Sequence, residues 1–124
     1  AVAISNLRDF KVREEGAMSF EQMYASSMDQ GMRGTGKDTF QAVKIVKGVE
    51  STAYTPANGA AYPESKFGQS LKQVARLIKA DVGLEVAFAD MGGWDTHVNE
   101  TPQLANLLRG HADGLLAINM LTRL

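Results

Sequence analysis

The sequence predicts an α/β fold: a helix-rich piece with about four helices and one or two strands, taken from a larger sandwich of helices around a sheet. Three observations predict it. An amphipathic pattern over residues 63–78 closes at Gly83. The compact apolar run Leu84–Ala89 follows at once, and it is better read as a buried strand than as more helix. A double glycine, Gly92-Gly93, then opens a loop before another apolar-periodic stretch. Helix, tight turn, strand and glycine loop in that order is the α/β pattern.

Each element has its own signal. Ala1-Val2-Ala3-Ile4 reads as the end of a strand before a turn at Ser5-Asn6, with Leu7 and Phe10 anchoring the connection. Ser19 and Gln22 form a capping box, and Phe20, Met23, Tyr24 and Met28 follow at helical spacing, which predicts a first helix over 19–28. Glycines from Gly31 to Gly36 are expected to break it. Asp38 and Gln41 repeat the capping pattern ahead of Phe40, Val43, Ile45 and Val46, predicting a second helix that ends near Gly48. The turn-rich segment 55–59 leads to Pro63, placed in the first turn of a third helix that carries Phe67, Leu71, Val74, Ala75 and Ile78 on one side. Thr101-Pro102 starts a fourth helix, with Leu104, Leu107, Leu108, Leu115 and Ile118 continuing to the end.

One or two strands cannot form a stable sheet, because their backbone groups lack partners. Sister strands are therefore expected outside this chain or in another copy of it. The chain begins with Ala1 and ends at Leu124 inside an apolar-periodic stretch without a glycine stop. The expectation is a single partial domain, 1–124, that self-associates when isolated because its apolar faces meet water.

Composition narrows the partners. The 124 residues are 44% hydrophobic and 22% charged, which suits a globular core. With 13 Lys+Arg against 14 Asp+Glu and no long block of either sign, nothing points to nucleic acid or a charged membrane surface. No apolar run reaches the roughly 18 residues of a membrane span. The absence of cysteine removes a disulfide scaffold, a thiolate metal site and a cysteine nucleophile.

The chemistry concentrates in Gly92-Gly93-Trp94-Asp95-Thr96-His97. Asp95 and His97 fall just past the predicted strand's C-terminal end, where open α/β sheets place ligands. A carboxylate and an imidazole two residues apart can share one divalent cation if the loop is extended, and Gly92 and Gly93 permit the sharp exit that this needs. The alternative is an Asp–His hydrogen bond that merely pins the loop. Trp94 either walls a pocket or closes the core. His111, on the apolar face of the fourth helix, reads as a core or boundary histidine. Residues 31–38 nearly spell a phosphate-binding loop, but Asp38 stands where a magnesium-binding hydroxyl belongs and would repel phosphate. Met23, Met28 and Met120 read as core filler.

Tyr62-Pro63, Phe67-Gly68 with Leu71, Val74-Ala75-Arg76-Leu77-Ile78-Lys79, the run Leu84–Ala89 and the loop Gly92–His97 together resemble the bacterial family catalogued as domain of unknown function 1501. Its pattern is a Tyr-Pro start, an Ala-x-Leu-Ile helix, a strand, a Gly-Gly-Phe/Trp-Asp-Thr-His loop and a Leu-rich helix; the match covers about half the chain. Residues 1–10 look more loosely like the same family's upstream segment.

The resemblance implies a relative of the alkaline phosphatase and sulfatase superfamily, exported to the periplasm by a twin-arginine signal. It implies that Asp95 and His97 are metal ligands for zinc, calcium or a similar divalent ion, which acts on a small anionic phosphate or sulfate ester. The family's downstream Ser-Glu-Phe-Gly-Arg and Thr-Asp-His-Gly segments, its long N-terminal part and its export signal are absent from these residues. The expectation is a metal-dependent hydrolase in the parent protein, with this piece inactive alone. The competing expectation is a non-enzymatic exported binding or scaffold domain whose Asp-Thr-His loop is structural.

Overall fold

The computed structural model describes residues 2–121, and among them every regular element is helical. The order is α1 (Ala17–Ala25), α2 (Gln30–Ser51), a 3-10 turn (Ala57–Gly59), α3 (Lys66–Lys79) and α4 (Glu100–Leu121). The expected α/β sandwich is thus corrected: no strand occurs among the described residues. Leu84–Ala89 has no ladder partner, and a strand exists only as one side of a hydrogen-bonded pair. Val2, Ala3 and Ile4 likewise form no bridge, while Ala1 and residues 122–124 lie outside the described residues.

The chain divides into two compact units, Ala1–Ala53 and Tyr54–Leu124. In the first, α1 packs on α2. The Ser19 capping box does not form; the helix starts at Ala17 behind Gly16, whose φ of +96° turns the chain in. The expected break at Gly31–Gly36 is also absent, since α2 runs through all three glycines of that stretch. Asp29 explains the start, because its Oδ1 accepts the Met32 amide at 2.9 Å and satisfies a free first-turn donor.

Gly36 explains why glycine is tolerated inside the helix. A β-carbon there would lie 2.6 Å from Tyr24 Cβ, so the missing side chain is what lets α1 approach. Phe40, Val46 and Val49 are buried on the same helix, and Tyr24 meets Phe40 edge-on with ring centroids 6.1 Å apart. Met23 and Met28 are 64% and 97% exposed, so they are not the core filler that their spacing suggested. α1 buries no residue, which leaves no core for its methionines to fill.

In the second unit α3 lies against α4. Pro63 lies ahead of α3 and not in its first turn; Ser65 caps the helix, its hydroxyl accepting the Gly68 amide at 3.1 Å. Phe67, Leu71 and Ala75 are buried at the predicted spacing. On α4 the most buried positions are Gly114 and Ala117, whereas Leu108 and Leu115 are about half exposed. Gly114 marks the crossing: a β-carbon there would stand 2.7 Å from Phe67 Cε1 and 2.9 Å from Leu71 Cδ1. Small residues therefore bring α4 down onto the large side chains of α3.

Candidate functional site

After α3 the chain turns at Asp81 and Gly83, both at positive φ, and runs without a bend from residue 83 to residue 97. No backbone hydrogen bond among the described residues reaches residues 82–98. Side chains therefore hold the last part of this segment in place.

Trp94 is the principal anchor. Its ring meets the His111 imidazole edge-on at 6.3 Å, and His111 in turn stacks on Phe67 at 5.3 Å with planes 18° apart. The indole N–H donates to the Met91 carbonyl at 2.6 Å, closing the loop on itself. Gly93, at φ +88°, uses a conformation that other residues rarely adopt, and a β-carbon on it would touch Leu107 Cδ2 at 3.6 Å. A β-carbon on Gly110 of α4 would stand 3.6 Å from the Met91 methyl, an ordinary contact. Gly92 meets nothing within 4 Å and has no such constraint.

The loop presents its next three residues in alternation. Thr96 is buried at 8% exposure, while Asp95 and His97 point outward on either side of it. Their side chains converge: His97 Nε2 lies 2.9 Å from Asp95 Oδ1, with 92% and 80% of the two side chains exposed. Both residues thus sit on one face of a loop fixed from below.

Among the described residues no cluster of three or more His, Cys, Asp or Glu could hold a metal ion. The Asp95–His97 pair offers one oxygen and one nitrogen, a donor set that suits zinc. It fits two corners of a coordination sphere and not a complete one.

His111 stands where the sequence placed it, on the boundary between α4 and the core. Its Nδ1 is buried without a hydrogen-bond partner. Met91 is the site residue that sequence reasoning passed over, while Phe67 and His111 were read as core or boundary positions with no link to the loop. A signal for the close approach at Phe67 was present in Gly114 of α4, where a β-carbon would stand 2.7 Å from the Phe67 ring. The near phosphate-loop at 31–38 lies wholly within α2.

Comparison of the chain with protein-family models, with curated proteins and with solved structures finds no match. No helix among the described residues is long and apolar enough to cross a membrane.

Proposed function

We propose that Asp95 and His97 are two ligands of a divalent cation, zinc by their donor set, in an exported hydrolase of phosphate or sulfate esters, and that this chain alone turns over no substrate. One observation carries the reading. The two side chains meet at 2.9 Å while remaining 80–92% exposed. A side-chain contact in that much water contributes little to stability. It is a poor device for pinning a loop that Trp94 already holds through His111 and the Met91 carbonyl. A carboxylate and an imidazole brought together in solvent are instead available to a cation.

Catalytic zinc sites use three protein ligands and an open position, so the remaining ligands must come from other residues of the assembly. When bound, such an ion supplies Lewis-acid polarisation of an ester oxygen. This chain's contribution is to hold the pair in register on an anchored loop. The resemblance to the exported family supports the ester substrate and the periplasmic location. The isolated chain is also proposed to self-associate, since Met28, Val86 and Phe88 are each more than 80% exposed.

Calorimetric titration of the chain with zinc, and separately with calcium, tests the reading. Weak binding of one ion that disappears in both Asp95→Ala and His97→Ala supports it. Binding that survives both substitutions refutes it. A second reading, a non-enzymatic scaffold, is favoured by the fact that Asp95 and His97 satisfy each other. It predicts no ion uptake at all.

A further inference from the structure

The segment Leu84–Ala89 is the most exposed apolar stretch of the second unit: Val86 is 83% and Phe88 is 87% exposed. It is unbent, and no backbone group in it is bonded to another. In an extended run, Leu84, Val86 and Phe88 share one side and Glu85 and Ala87 the other. Free amides and carbonyls beside an alternating apolar row are a template for strand pairing.

We propose that the occupant of this edge is the same segment of a second copy, paired antiparallel with Val86 opposite Val86. This deepens the self-association reading above and rests on it. Charge selects the arrangement. A parallel, in-register pair sets Glu85 against Glu85 and Asp90 against Asp90, and directly opposed like charges destabilise a ladder. The antiparallel pair centred on Val86 sets Leu84 against Phe88, Glu85 against Ala87 and Val82 against Asp90, so no carboxylate faces another. Sliding the pair until Glu85 becomes the centre opposes the two glutamates. Sliding it the other way, to centre on Ala87, puts Leu84 against Asp90. A slip of one residue turns the apolar rows to opposite faces. Only the Val86-centred register matches Leu84, Val86 and Phe88 with one another.

A ribbon of two such short strands buries far less than the roughly 800 Å² per partner of a standard interface, and two strands alone are marginal in water. The dimer is therefore weak and concentration-dependent.

The absence of native cysteine makes the test clean. Under mild oxidation at high concentration, Val86→Cys should give a disulfide-linked dimer, because opposed strand residues have Cα separations within disulfide range. Glu85→Cys alone should not cross-link, and an equimolar mixture of Glu85→Cys and Ala87→Cys should. Phe88→Asp should shift the sedimentation of the uncross-linked chain toward monomer. Cross-linking of Glu85→Cys as readily as Val86→Cys overturns the register. Dimers that sediment as such but never link through Val86→Cys overturn the ribbon while leaving self-association intact. A chain monomeric at every concentration overturns both.

Discussion

Two glycines of α2, two residues apart, are expected to respond in opposite directions to the same substitution. An alanine at Gly34 meets nothing within 4 Å. It should stabilise the chain by about 1 kcal/mol, the difference in helix propensity. An alanine at Gly36 gains the same propensity but places its β-carbon 2.6, 2.8 and 2.9 Å from Tyr24 Cβ, Cγ and Cδ1. Relaxed carbon contacts lie near 3.5–4.0 Å, so α1 must move off α2 by about 1 Å. The nearest atom is Tyr24 Cβ, next to the backbone, which no rotamer change can remove. Overpacking of this kind costs about 1–3 kcal/mol, leaving a net loss of about 1 kcal/mol after the propensity gain. The two variants should then differ by about 2 kcal/mol, or roughly 8 °C in Tm. Thermal unfolding followed by circular dichroism reads this directly. If Gly36→Ala stabilises as much as Gly34→Ala does, Gly36 is not the contact point of the two helices.

Other expectations concern the loop and its surroundings. Trp94→Ala should destabilise the chain by about 2 kcal/mol, below the usual value for a buried aromatic because the residue is 43% exposed. Asp95→Ala should change stability by less than about 1 kcal/mol, since its contact with His97 lies in solvent. Urea denaturation of both variants checks the pair of values, and a larger loss at Asp95 than at Trp94 would reverse the assignment of anchor and ligand. Burial, and then the nearby Tyr54 hydroxyl, holds the Tyr62 phenol above its ordinary range. The folded chain thus keeps that proton longer than the unfolded one. The contribution is complete below the unfolded value of about 10 and is lost as pH rises through the folded value. Denaturation at about pH 8 and about pH 11 should show a smaller alkaline loss for Tyr62→Phe than for wild type; equal losses would refute it.

What the sequence disclosed followed from local rules. α3 was legible because Phe67, Leu71 and Ala75 recur at helical spacing, and all three are buried. The Thr101-Pro102 signal located the start of α4 to within two residues. Strand formation at Leu84–Ala89 was not decidable from its own residues, because pairing depends on a neighbour and apolar composition specifies none. The α2 glycines misled for a related reason: Gly36 serves a contact with Tyr24, twelve residues back, and not a local break. At the site, the convergence of Asp95 and His97 was visible from their spacing. Their anchoring by Trp94, His111 and Phe67 required the packing of three segments distant in sequence.

The central claim is that a loop anchored by Trp94 offers Asp95 and His97 to a cation. With only two histidines in the chain, imidazole nitrogen resonances observed during zinc addition test it most directly. The His97 nitrogens should shift while those of His111 stay in place, and Asp95→Asn should abolish the shift. Zinc that leaves His97 unmoved, or that acts first on His111, would contradict it.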